Sequence, residues 1–151
     1  MSRAYEMIAS VFYIGYLPVA PGTLGSLVGL IVYYFVKDNP ITMGVAILIV
    51  TALGFLTAGR AEKIFGGKDP DEIVIDELSG MLISLYLLPS SMGYVVSGFI
   101  LFRFFDIVKP KPIQSFEKLK GSLGIMSDDL IAGLYANMAL QIVYMLNSVI
   151  F

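Results

Sequence analysis

The chain has 151 residues, room for a single domain over 1–151; 57% of them are hydrophobic and the net charge is −2. Soluble domains are ordinarily about 45–50% apolar, so this excess and a mean hydropathy of +0.81 point to a membrane as solvent. The absence of Cys and His excludes disulfides, thiolate metal sites, cysteine nucleophiles and the usual neutral-pH general base, and the absence of a dense basic block excludes nucleic acid as a partner.

The chain opens with "MSRAYEMIASVFYIGYLPVAPG". Its centre is apolar, but Glu6 lies in its head and Pro21 follows the small-residue stretch where a peptidase would cut, so it reads as an interfacial or packing helix and not as a signal peptide. In "PVAPGTLGSLVGL" (18–30), Pro21-Gly22 is expected to turn, Thr23 to cap a helix, and Gly25 and Ser26 to occupy its first turn. Exposed N–H groups and two hydroxyls at such a helix start suit phosphate, although a plain capped helix entering a bilayer has the same pattern and the Lys of a P-loop is missing.

Five apolar segments follow, over 24–36, 41–58, 73–88, 92–105 and 130–151. At about 1.5 Å per residue the longest would cross a hydrocarbon core of about 30 Å; the shorter ones need their flanks or lie inside a bundle. "KDNP" (37–40) and "PSSMG" (89–93) are tight turns between antiparallel helices. The expected architecture is all-α: a compact bundle of five membrane-embedded helices plus the N-terminal interfacial helix, with a soluble helical bundle as the alternative.

Alternate crossing puts the N-terminus and the loops 59–72 and 106–129 on one side. That side carries Arg3, Arg60, Lys63, Lys68, Arg103, Lys109, Lys111, Lys118 and Lys120, nine of the ten basic residues, and leaves only Lys37 on the other. Such asymmetry marks the cytoplasmic face. The acids divide likewise, with Asp38 alone of twelve on the far side. A helix dipole accounts for Asp128 and Asp129 at the head of the fifth segment. It does not account for Asp76 and Glu77 after Ile73, Val74 and Ile75, nor for Asp106 near a C-terminal end. Five carboxylates at one level repel one another unless a cation sits among them, and all-oxygen donors suit Mg²⁺, with Mn²⁺ or Ca²⁺ as alternatives. In "LFRFFDIVKP" (101–110), Arg103, Asp106 and Lys109 recur every three residues and form one helical stripe. An exposed ladder of ion pairs is the plain interpretation, but the neighbours are Phe, Leu, Ile and Val.

The blocks "APGTLGSL", "DPDEIVIDELSG", "LFRFFDIVKPKPI" and "GIMSDDLIAG", in this order over 20–133, resemble the phosphatidylglycerophosphatase A family of bacterial Mg²⁺-dependent lipid phosphatases. The resemblance implies a step of phospholipid biosynthesis: hydrolysis of the terminal phosphomonoester of phosphatidylglycerophosphate to phosphatidylglycerol and phosphate. It implies a multi-pass protein of the bacterial inner membrane with its site facing the cytoplasm and the lipid substrate and bilayer as partners. The family's metal-binding carboxylates fall on Asp76, Glu77, Asp106, Asp128 and Asp129, and its basic positions on Arg103, Lys109 and Lys111. One departure is Gly121-Ser122, where the family pattern has two glycines.

The residues' own chemistry is compatible. Arg103 can grip phosphate through its planar fork, Lys109 adds a point charge, Thr23 and Ser26 add hydroxyls, and Asp129 is the carboxylate chosen as base. Asp69-x-Asp71 in "DPDE" offers a nucleophilic aspartate as a competing route, but "FGGK" precedes it and not a buried strand. A rival from another class is a small transporter or ion-binding membrane protein. Asn137 and Gln141 are the main midplane polar pair it would use, and interhelical hydrogen bonding is their simpler role.

Overall fold

Proline and glycine set several element boundaries in the computed structural model, which describes residues 2–116 and 118–150. Helix α1 spans Ser2–Ala9, followed by a 3-10 turn at Ile14–Tyr16; then come α2 (Pro21–Val36), α3 (Pro40–Phe65), α4 (Ile75–Ser84), α5 (Met92–Val108), α6 (Ile113–Phe116) and α7 (Ser122–Ile150). Among the described residues there is no strand. Pro40 stands in the first turn of α3, where its missing N–H costs nothing, and the Asn39 side chain accepts from the N–H groups of Ile41 (2.8 Å) and Thr42 (3.2 Å). Gly66 ends α3 in the left-handed region at φ 79°.

Each of the five expected segments is helical. The third is cut short: α4 has ten residues, about 15 Å of helix, too short to cross a bilayer. Eight of its ten residues are buried, and it packs against α2, α3, α5 and α7. Beyond Ser84 the chain continues as turns, with Leu87 in the left-handed region at φ 58°. Contact between α4 and α7 is backbone-close: a Cβ on Gly80 would stand 2.7 Å from the Asp129 carbonyl oxygen, and one on Gly133 would run into the Gly80 carbonyl. Larger side chains there would push the helices apart and separate the carboxylates they carry.

Helices α3 and α7 are long and apolar enough to cross a membrane; α2 and α5, with 16 and 17 residues, fall short. The outward faces are largely apolar. Ile41, Leu48 and Leu56 on α3, Ile31, Tyr34 and Phe35 on α2, Ile100 and Ile107 on α5, and Ile142, Met145 and Leu146 on α7 are all exposed. A water-soluble bundle does not display apolar surface of this extent, so the chain is membrane-associated. Helix α1 is a packing helix, set against α3 with Ala9 fully buried near Ala58 and Ala61, and its end is tied to the bundle where the Val74 N–H donates to the Ala9 carbonyl at 3.0 Å.

Candidate active site

Asp76 and Glu77 lie in the first turn of α4, Asp128 and Asp129 in α7, and Asp106 in the last turn of α5. The fold brings all five to one cavity of about 80 Å³, lined also by Lys109 and by Asp69, Pro70, Asp71 and Ile73 of the preceding loop. One oxygen each from Asp76, Glu77 and Asp129 lies within 4.8 Å of the other two. Asp76, Asp128 and Asp129 are only 5%, 3% and 3% exposed. Burial, followed by the charges of Glu77 and Asp129, holds the Asp76 carboxyl well above the usual range, and burial pushes Glu77 up to about 7.

Three buried oxygens in this group, Asp76 Oδ1, Glu77 Oε2 and Asp128 Oδ1, have no hydrogen-bond partner. An unsatisfied buried polar atom costs about 1–3 kcal/mol, and buried polar atoms are paired as a rule. Converging hard oxygens with unused lone pairs and no nitrogen or sulfur donor among them fit a divalent cation of the Mg²⁺ or Ca²⁺ type.

The charged stripe of α5 faces this cavity region, while Phe104, Ile107 and Val108 turn outward. Arg103 Nη1 pairs with Asp106 Oδ2 at 2.8 Å and reaches Ser26 Oγ at 3.5 Å. Lys109 Nζ pairs with Asp128 Oδ2 at 2.7 Å from a left-handed position (φ 45°) that ends α5. The four paired side chains are between 5% and 23% exposed, so these are not the solvated pairs of a surface ladder.

The head of α2 closes the other side. A Cβ on Gly22 would overlap Glu77 Oε1 and stand 3.2 Å from Arg103 Nη1, so only glycine lets this turn approach. Ser26 is buried and donates its hydroxyl to the Gly22 carbonyl at 2.9 Å. The helix start differs from expectation: Ala20 is the N-cap, at φ 45°, and Pro21 the first helical residue, so Thr23 sits inside the first turn and is not the cap. Pro at the first position is as good a start signal as Thr at the cap, and here it prevails.

Thr23, Ser26, Arg103 and Lys111 do not line the cavity; Arg103 stands beside it through its pair with Asp106, and Lys111 is exposed. Asp69 and Asp71 do line it, a role sequence reasoning missed because it weighed the pair only as a nucleophile motif. The available signal was "DPDE" itself, an acid-rich turn immediately before an apolar run.

A family model described as phosphatidylglycerophosphatase A matches residues 7–144. A phosphatidylglycerophosphatase A of Haemophilus influenzae is 42% identical over 138 residues, covering 87% of this chain and 83% of its own length. One of Escherichia coli is 35% identical over 136 residues, covering 88% and 79%. A Bacteroides thetaiotaomicron protein named as a candidate phosphatidylinositol-3-phosphatase is 37% identical over 139 residues, covering 86% and 87%. No solved structure matches the chain.

Proposed function

The chain belongs to the phosphatidylglycerophosphatase A family, and from that premise we propose that it hydrolyses the terminal phosphomonoester of phosphatidylglycerophosphate at the acid-lined cavity, giving phosphatidylglycerol and phosphate. The observation that carries this reading is the convergence of Asp76, Glu77 and Asp129, with unpaired buried oxygens on Asp76, Glu77 and neighbouring Asp128, beside two held cations, Arg103 and Lys109.

Asp76, Glu77 and Asp129 would hold Mg²⁺, which when bound neutralises phosphoryl oxygens and acidifies water. Arg103, fixed by Asp106, presents its planar fork to the phosphate, and Lys109 adds a point charge. Phosphate monoester hydrolysis asks a protein mainly for such positioning and charge stabilisation. Asp129 is committed to the cation trio, so the role of base falls to Asp128. Its Oδ2 is held by Lys109 while its buried Oδ1 remains able to take a proton from the attacking water.

The transport alternative has little support. Asn137 and Gln141 spend their amides on backbone carbonyls at the end of α4, as expected of interhelical hydrogen bonding. The candidate phosphatidylinositol-3-phosphatase activity named for one relative involves the same phosphomonoester chemistry, so headgroup choice must be made outside the acid cluster.

Phosphate release from phosphatidylglycerophosphate in lipid–detergent micelles, with Mg²⁺ and with EDTA, tests the activity. Turnover is expected only with the divalent ion, and strong turnover in EDTA would remove the metal from the reading. In the proposed orientation α3 and α7 cross the inner membrane, α2, α5 and the stretch formed by α4 and the turns beyond it cross with the help of their flanks, and the cavity lies at the cytoplasmic face, from the nine-to-one distribution of basic residues. In this Cys-free chain, a cysteine at Ser115 should resist an impermeant thiol reagent in intact cells while one at Ser91 reacts; equal labelling would overturn that orientation.

A further inference from the structure

A second cavity, of about 210 Å³, adjoins the acid-lined one and shares Asp71 as a wall. Tyr16, Leu17, Pro18 and Pro21 form one side of it, and Asp71 and Glu72 the other. Pro21 is followed by Gly22, on which a Cβ would run into Glu77, so the head of α2 that walls the second cavity also packs closely on an acid of the first. We propose that this second cavity is a headgroup subsite, in which Glu72, with Asp71 beside it, accepts a hydrogen bond from the hydroxyl of the glycerol unit carrying the scissile phosphate. The proposal rests on the phosphatase reading above and adds to it where the enzyme tells one phospholipid phosphomonoester from another.

Space and chemistry both support this assignment. The acid-lined cavity has well under half the volume of its neighbour, and its walls are occupied by the groups that would hold cation and phosphate. The glycerol attached to that phosphate needs room immediately beside it. In the second cavity the carboxylates are acceptors for a hydroxyl, while the prolines, Leu17 and the Tyr16 ring offer apolar surface to the glycerol carbons. The same carboxylates repel an anion. The phosphodiester on the far side of the glycerol is therefore turned toward the opening, the direction in which the acyl chains must run.

The walls are also held together before any ligand arrives. A Cβ on Gly15 would run into the Glu72 carbonyl, so the 3-10 turn lies directly on the backbone of the acidic loop. The Gly15 N–H donates to the Ser10 carbonyl at 3.0 Å, the Leu17 N–H to the Ile14 carbonyl at 3.0 Å, and the Tyr13 N–H to Ser10 Oγ at 3.1 Å. Val11, Phe12 and Tyr13 are consecutive left-handed residues at φ 49°, 55° and 67°, a conformation that costs energy and clusters at functional sites. A preformed wall loses little entropy on binding and discriminates by hydrogen bonding better than a soft one.

Three lipids test the subsite: phosphatidylglycerophosphate, its analogue with the headgroup hydroxyl replaced by hydrogen, and phosphatidic acid. The wild type should prefer the hydroxyl-bearing lipid over the deoxy analogue by about ten- to a hundredfold in kcat/KM, the size of one hydrogen bond to a charged group. Glu72→Ala, checked by its unfolding midpoint to be folded, should bring that ratio close to one, and Glu72→Gln should give an intermediate ratio. Asp71 is left unaltered because it also borders the acid-lined cavity. A Glu72→Ala protein that keeps the wild-type preference overturns the subsite, as does a wild type indifferent to the hydroxyl. A wild type that releases no phosphate from any of the three lipids overturns the phosphatase reading instead.

Discussion

The two ends of α4 are built by the same pair of helices and are finished in opposite ways. At the C-terminal end, Asn137 of α7 donates to the carbonyls of Ser84 (3.2 Å) and Tyr86 (2.8 Å), and Gln141 donates to those of Tyr86 (3.3 Å) and Leu87 (3.2 Å). Carbonyls that a helix end leaves unpaired thus find partners in a region with little water. At the N-terminal end, Asp76 and Glu77 face Asp129 of α7, and buried oxygens of Asp76, Glu77 and neighbouring Asp128 stay unpaired. Satisfied polar groups hold the helices in register, whereas unsatisfied charged ones cost stability unless something binds them. The contrast locates function at one end of a short helix and structure at the other, two and a half turns apart.

The comparison breaks most visibly at Asp129. Asp129→Asn keeps the shape and removes one ligand charge, so kcat/KM should fall by about a hundredfold or more and the Mg²⁺ concentration for half-activity should rise. Without the ion, its thermal midpoint should hold or increase, because one of several crowded like charges has gone. Full activity in a folded Asp129→Asn protein would remove the metal trio. Arg103→Lys comes next. It keeps the charge opposite Asp106 but loses the bidentate fork, so turnover should drop about ten- to a hundredfold while the Mg²⁺ dependence stays as in the wild type. An Arg103–Asp106 pair with a structural role alone predicts unchanged turnover in that variant.

The same contrast explains what was legible in the sequence. Asp76 and Glu77 stand out because carboxylates following Ile73, Val74 and Ile75 are expensive, and the three-residue rhythm of Arg103, Asp106 and Lys109 gives a stripe that the fold turns inward. Hydropathy finds apolar segments but does not measure them. The run 73–88 reads as one long segment, yet regular helix stops at Ser84, and the chain beyond it is held by Asn137 and Gln141, residues more than fifty positions away. Asp69 and Asp71 read in the sequence only as a nucleophile motif, because a loop has no periodicity to show which side chains it turns toward a cavity. Thr23 and Lys111, expected at the phosphate, stand outside the lining of the acid cavity. One belongs to a helix that starts earlier than expected; the other lies exposed beyond the left-handed turn at Lys109.

The smallest effect on turnover is expected at the satisfied end, which makes it the control that sharpens the comparison. Asn137→Leu conserves approximate volume but deprives the Ser84 carbonyl of its side-chain donor and leaves the Tyr86 carbonyl with Gln141 alone. Loss of such hydrogen bonds costs about 1–3 kcal/mol when an acceptor is left buried and unpaired, so the denaturation midpoint in detergent should fall measurably. Turnover below that midpoint should stay within about twofold of wild type, because nothing at this end touches the acid-lined cavity. The reverse result, a stable Asn137→Leu protein with turnover greatly reduced, would move Asn137 from the scaffold to the working path. It would also revive the transport alternative, in which a midplane amide does more than hold two helices together.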